Sequence, residues 1–417
     1  MTEQTGTEPT TPEQEPKKSF LQSPLFPIFL IVLVDVFGFT LVLPLLPFYA
    51  EHLGASALQV GFLTASFAIC QFVAGPILGR ISDRAGRRPT LLVSQAGTFV
   101  GFLILALAGN LWMLFLGRII DGLTAGNLSI AQAYISDVTK PEERTRAFGL
   151  IGIAFGAGFL FGPAISGFLA QYGYHWPAIA AMVLSATSII CTWFLLREAK
   201  RSPEAREASS QRSGGRMELF TTYFSRPLPR RRLLEFFAFS LSFSTIIGGL
   251  ALFLERQFSY DATHVGYIFA FSGLVGGIVQ GGMLGRMVKR LGEEKLAAIG
   301  FAGMVLGYVF LGWIFTVPLL LAAVTFASFG SAVARPTLTT LVTKSVGRTE
   351  QGMALGVSQS LASISQMVGP VIAGWLIQHR QLETYGIVAG AFAFIGLLFV
   401  MKRGGEQPED VEAVGAG

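Results

Sequence analysis

The chain has 417 residues, of which 52% are apolar and only 14% charged, and its formal net charge is +5. So little charge on so much apolar sequence excludes a soluble globular domain and points to a chain embedded in a bilayer. The positive excess falls on alternate loops, so it reflects membrane topology, and no nucleic-acid partner is expected.

Residues 1–22 are rich in Thr, Glu, Pro and Gln and read as a disordered tail, neither a helix nor a cleavable signal peptide. Beyond them, apolar runs near the roughly 20 residues that a helix needs to cross about 30 Å of hydrocarbon recur about twelve times. In the first half the spans are 25–50, 57–79, 90–108, 112–138, 143–170 and 175–196. In the second they are 233–255, 264–286, 295–315, 317–343, 350–378 and 383–401. The short alternating strands of a membrane barrel are absent, so an all-α integral membrane fold is expected. A hydrophilic stretch at 198–232 separates an N-terminal six-helix bundle (23–197) from a C-terminal one (233–401), and residues 402–417 form a second tail.

Charges inside the spans are costly, about 2.5–3.5 kcal/mol each at mid-bilayer, so each needs a partner, water or a function. Asp35 lies near mid-depth of the first span, with no basic residue of its own helix within reach at i+3 or i+4. Arg118 and Asp121 share one face of the fourth span at i, i+3, where an ion pair lowers the cost of burying both; a protonatable pair facing the cavity is expected. Farther along that span, Asn127 and Gln132 suit either a cavity lining or interhelical hydrogen bonds. In the fifth span Gly158 and Gly162 leave a flat packing face, and Pro163 removes a donor and can kink the helix. Cys70 and Cys191 fall within spans, where packing is their default role.

In the second half, Glu235 and Glu255 bracket the seventh span near its interfaces, where carboxylates can be solvated, so they carry little functional weight. Arg335 lies toward the interior half of the tenth span, where it either pairs with an acidic group across the cavity or snorkels. Gly369 and Pro370 repeat the Gly162–Pro163 step.

Lys17, Lys18, Arg80, Arg84, Arg87, Arg88, Lys140, Arg144, Arg146, the linker arginines, Arg286, Lys289, Arg290, Lys295, Lys344, Arg348, Lys402 and Arg403 all fall on one set of loops and tails. Both termini are therefore expected in the cytoplasm. The halves also repeat. GRISDRAGRRP at 79 returns as GRMVKRLGEEK at 285, and AFGLIGIAFGAGFLFGPAISGFL at 147 aligns without gaps to ALGVSQSLASISQMVGPVIAGWL at 354, offsets of 206 and 207. Two matches at nearly one offset indicate a duplicated six-helix unit with its cargo site near the midplane between the halves.

In the loop at 79, the glycines Gly79 and Gly86 suit a tight turn and close helix approach. Asp83 is placed to accept from a helix N-terminus or pair with an arginine, and Asp137 is a partner for Arg84, Arg87 or Arg88. These residues predict a charge latch holding the halves together on the cytoplasmic side of the outward-open state. The copy at 285 lacks the aspartate, which assigns the latch mainly to the first half.

Gly79-x-x-x-Asp83-Arg84-x-Gly86-Arg87-Arg88 resembles the signature between helices two and three of the major facilitator superfamily. LGRIIDGLTAG, with Arg118 and Gly122, resembles its fourth-helix motif. Gly158-x-x-x-Gly162-Pro163-x-x-Ser166-Gly167 resembles the fifth-helix motif associated with antiporters, with Ser166 where glycine is usual. Asp35 followed by GFTLVLPLLP resembles the first-helix motif of twelve-helix drug/proton antiporters, tetracycline efflux proteins in particular. The resemblance spans about residues 25–401. It implies two rocking six-helix bundles, a proton or cationic-substrate role for Asp35, and an Arg118 that couples protonation to conformation. At Asp121 the family usually has glutamine or a small residue. Tetracycline exporters also carry an acidic residue in helix three where this chain has Gly101, which weakens tetracycline as the specific cargo.

No phosphate-binding loop, HExxH or paired-cysteine metal site is present, and the four histidines fall near the exterior loops. The expectation is a non-enzymatic, monomeric exporter in a bacterial cytoplasmic membrane, with lipid around it and small molecules and protons as partners. It needs no cofactor or metal, the proton gradient being its energy source. The alternatives are a proton-coupled symporter or facilitator of a metabolite or lipid, and, outside transport, a membrane receptor or scaffold.

Overall fold

The computed structural model describes residues 25–139, 144–198, 216–347 and 350–402. The tail at 1–22, Lys140, Arg348, most of the tail at 402–417 and part of the linker lie outside the described residues.

The first half comprises α1 (Leu25–Val42), α2 (Leu45–His52), α3 (Ala57–Ala85), α4 (Arg87–Ala106), α5 (Leu111–Leu123), α6 (Asn127–Val138), α7 (Arg144–Ala170) and α8 (His175–Leu195). A short α9 (Arg216–Ser225) precedes α10 (Pro227–Phe258), α11 (Ala262–Ile278), α12 (Leu284–Val309), α13 (Val317–Lys344), α14 (Gln351–Gln378) and α15 (Leu382–Met401). Thus the segment expected to be a linker through 232 carries a helix of its own, and the second bundle begins at Pro227, whose fixed φ suits a first helical turn. Starts follow local signals. Ser56 and Gln59 form a reciprocal capping box on α3, and Asp261 accepts from the His264 N–H to cap α11.

Ten continuous helical stretches are long and apolar enough to cross a membrane among the described residues. Two departures reconcile this number with the twelve expected spans. The 52-residue stretch Ala262–Trp313 reverses direction at Gly292, and the fourth span is split into α5 and α6, each too short to be counted alone. The first span is likewise broken, at Leu43 and Pro44 between α1 and α2.

The duplication is visible as geometry. Gly86 (φ 104°) and Gly292 (φ 73°), 206 residues apart, make the same reversal in a backbone region open essentially only to glycine. Gly162 on α7 sits against Thr40 of α1, and Gly369 on α14 sits against Thr245 of α10. Gly167 meets Ala262 and Thr263 at the start of α11, and Gly374 meets Ala57 and Leu58 at the start of α3.

These last contacts join the halves, and they lie at the end of the molecule away from the basic loops, here termed the far end. A Cβ on Gly266 would lie 2.5 Å from the Pro163 carbonyl oxygen, and one on Gly61 would collide with that of Pro370. Thr263 Oγ1 donates to Gly167 O (3.0 Å), and Leu58 N–H donates to Gln378 Oε1 (3.1 Å) across the same seam. Toward the basic end the helices part. Gly149, Gly152 and Gly156 on α7 and Gly277, Gly281, Gly282 and Gly285 facing them in sequence order have nothing within 4 Å of a Cβ position. The two bundles are closed at the far end and open at the basic end.

Candidate transport site and its gates

Asp35 lies eleven residues into α1, a helix apolar on every side, so its carboxylate must find polar company from neighbouring helices. Three such helices supply it: Gln95 from α4, Asn127 from the start of α6 and Ser188 from α8 all interact with Asp35. Gln95 is fully buried, and its Nε2 donates to Ser188 Oγ (2.7 Å). Asp35 keeps part of its surface open, while its Oδ2 is buried with no hydrogen-bond partner, as are Gln95 Oε1 and Asn127 Oδ1. Such orphaned polar atoms are rare and call for a function or a bound species. Gln95 and Ser188 carried no sequence signal, because a lone neutral polar residue in an apolar helix does not reveal which neighbour it faces.

Arg118 and Asp121 form the expected pair, Nη1 to Oδ2 at 2.8 Å, with side chains 6% and 7% exposed. They pack between helices rather than facing the cavity as expected. The guanidinium lies over the Phe67 ring of α3, 4.1 Å from its centroid, and Asp121 packs where Gly101 of α4 has no side chain. Arg118 Nε has no partner. The helix break after α5 follows at once: Gly126 N–H donates to Ser94 Oγ (3.0 Å), and Ser94 Oγ donates to Thr124 O. Discontinuous helices at mid-membrane are a common way to present backbone and side-chain groups to a ligand.

Gln132 is exposed on α6, and its side chain makes no described hydrogen bond. Arg335 is exposed on α13 and forms no ion pair with a described residue, so of its two readings, pairing across the cavity or snorkelling, the first is not seen among the described residues. The Arg335 backbone carbonyl accepts from Thr339 Oγ1 (2.8 Å). Gly158 and Gly162 do provide the flat face expected of them, against Val36 and Thr40 of α1. Pro163 and Pro370 lie inside α7 and α14, with their carbonyls on the seam.

At the basic end Arg87 is the hub. It donates to Asp83 (2.8 Å), Asp137 (2.8 Å) and Ser82 Oγ (3.1 Å). Of the three arginines proposed for Asp137, Arg87 is thus the partner, while Arg84 is exposed. Glu198, missed in the sequence, caps α4 by accepting from the Arg87 and Arg88 N–H groups at 2.7 and 3.1 Å, where a carboxylate meets the positive end of the helix dipole. Arg88 donates to Trp193 O (2.5 Å). These partners, Ser82, Asp83, Asp137, Trp193 and Glu198, all lie in the first half, so in this conformation these contacts tie helices of one bundle together. Gly86 makes the expected turn, but Gly79 faces open space, not a neighbouring helix.

The second copy of the loop is not merely degraded. Glu293 accepts from Lys344 Nζ (2.5 Å), and residues 293 and 344 correspond to 87 and 137 at offsets of 206 and 207. Arg87–Asp137 therefore recurs with its charges exchanged. The Lys344 ammonium holds the Glu293 carboxyl below the usual carboxylate range. Glu235, expected near solvent, is instead fully buried between Arg231 and Arg232, and Arg232 also pairs with Glu294. Its two arginines explain how a carboxylate is buried there. Arg226 pairs with Glu350 (2.8 Å), docking the end of the linker region onto α14.

The sequence profile of the Major Facilitator Superfamily matches residues 28–315 and 233–416. The class D tetracycline resistance protein of Salmonella ordonez is 33% identical over 371 residues, covering 86% of this chain and 90% of that protein. Multidrug resistance protein 1 of Bacillus subtilis is 30% identical over 356 residues, covering 83% and 88%. The crystal structure of the human organic anion transporter MFSD10 (TETRAN) has the same fold, with a TM-score of 0.69 at 23% identity, covering 90% of this chain and 98% of that one.

Proposed function

Since the chain belongs to the Major Facilitator Superfamily and is a multi-pass membrane transporter, we propose that it couples inward proton movement to the export of amphipathic or cationic small molecules. The observation that carries this reading is Asp35: an acid with one buried, unpartnered oxygen, placed among Gln95, Asn127 and Ser188 at mid-membrane. An acid so placed exchanges a proton for a cationic group at low energetic cost, because either one relieves the same uncompensated charge. The resistance and multidrug proteins among the relatives support the drug-like cargo. The basic end faces the cytoplasm of a bacterial cell in this reading, so the conformation is inward-open and awaits cargo from inside. One charge crossing 100 mV contributes about 2.3 kcal/mol, enough for more than tenfold accumulation.

Purified protein in liposomes with an imposed pH gradient is expected to move amphipathic cations against their concentration, and Asp35→Asn to abolish the response to the gradient. Movement that ignores the gradient and survives Asp35→Asn unchanged would sink the reading. A second reading draws on Arg335, a cation exposed on α13 that forms no ion pair with a described residue. It suits a cargo that carries an anionic group, and uptake or export of organic anions in the same liposomes, lost in Arg335→Gln, would favour it.

A further inference from the structure

At the far-end mouth, beyond the span predicted to end at residue 50, Arg256 of α10 reaches between the two halves. Its guanidinium is 2.6 Å from Glu51 on α2, in the other half, and 2.5 Å from Glu255 on its own helix. The Glu51 side chain is only 16% exposed, and the two carboxyls lie within hydrogen-bonding reach of each other. Two carboxylates on one guanidinium carry an excess negative charge that a partly buried site tolerates poorly. We propose that Glu51 and Glu255 form a proton-binding site that holds one shared proton across the seam whenever the far end is shut, with Arg256 as its clamp.

The other charged and titratable groups nearby are Arg380, His52, Tyr174, which feels both the Glu255 and Asp261 charges, and Asp261, which is paired with His264. Arg380, on the turn between α14 and α15, lines the same cavity as Glu51 and Arg256. His52, the next residue along the chain, turns its ring to Tyr174, 5.2 Å away between centroids. Burial first, and then the Glu255 carboxylate, push Glu51 up to about 7, against the lowering effect of Arg256. When the halves separate, Glu51 leaves Glu255 and is hydrated, and returns toward the ordinary glutamate value of about 4.3. The closed far end therefore binds the proton more tightly than the open one. By linkage, proton binding favours closure fully at acid pH, and this contribution falls away as pH rises and is gone above about 7. Outside protons thus drive the carrier back to its inward-open form. The inference concerns the gate and holds whatever the cargo is.

The test measures far-end opening directly, without transport. Spin labels are placed at Gln171→Cys and Gln381→Cys, exposed positions on opposite halves, in the full chain with Cys70→Ala and Cys191→Ala. The ratio of short to long distances is expected to fall by up to about tenfold per pH unit between about pH 5 and 7 and then to level off. Glu51→Gln and Glu255→Gln should each flatten this response and keep the far end shut at high pH. A distance distribution independent of pH, or an undiminished response in both glutamine variants, would overturn the proposal. On the otherwise unmodified chain, infrared difference spectra should show a protonated carboxyl band that titrates away over the same window and is missing in Glu51→Gln. Its absence from the parent protein would overturn it as well.

Discussion

Arg118 and Asp121 show what a single residue can and does not reveal. Their i, i+3 spacing in an apolar helix already dictated a local pair, and the 2.8 Å contact follows. Which way the pair faces was not legible, because that depends on Phe67 and Gly101, residues of two other helices whose roles appear only on packing. Enclosure makes the pair asymmetric in its response to mutation. Asp121→Asn leaves the guanidinium buried without its counter-charge and is expected to cost about 3–5 kcal/mol. The double replacement Arg118→Met, Asp121→Leu removes both charges together and should cost much less. Thermal unfolding in detergent separates the two, and equal losses of Tm would argue against a buried, mutually dependent pair. The Asp35 cluster follows the same pattern: the acid stands out in the sequence, while Gln95 and Ser188 do not.

At the level of elements, the spans were legible because bilayer thickness fixes their length, but their breaks were not. The splits between α1 and α2 and between α5 and α6 lie within single expected spans, and the second depends on bonds such as Ser94 to Gly126 that join distant segments. The turns between α3 and α4 and within α12 are a contrasting case, since the glycine is both visible and necessary. Gly86→Ala and Gly292→Ala force a non-glycine residue into a region costing about 1–3 kcal/mol. A Cβ at Gly86 would also meet the Glu198 carboxylate at 3.0 Å, whereas Gly292 has open space around it. Gly86→Ala is therefore expected to lower Tm more than Gly292→Ala; the reverse order would mean that Glu198 yields freely.

For the whole molecule, the duplication was readable from two matched segments, but the conformation was not, because one sequence must encode both an inward-open and an outward-open arrangement. The seams suggest how the two interconvert. Gly61 on α3 and Gly266 on α11 belong to separate seams, each permitting a helix to touch a proline carbonyl of the other half. If the bundles rock as rigid bodies, prising one seam open must open the other. Gly61→Val is expected to speed alkylation of Thr263→Cys, on the opposite seam, by a membrane-impermeant maleimide in a chain lacking Cys70 and Cys191. Unchanged labelling would mean that the helices bend independently.

The exchanged charges of Arg87–Asp137 and Glu293–Lys344 also bear on how the two repeats can evolve. A recombination event that took the loop from one repeat and the following helix from the other would set arginine beside lysine, or glutamate beside aspartate. Like charges at such distances repel where opposite ones attracted. Although the halves descend from one unit, their genetic segments are no longer interchangeable parts, and each repeat is committed to its own place in the chain.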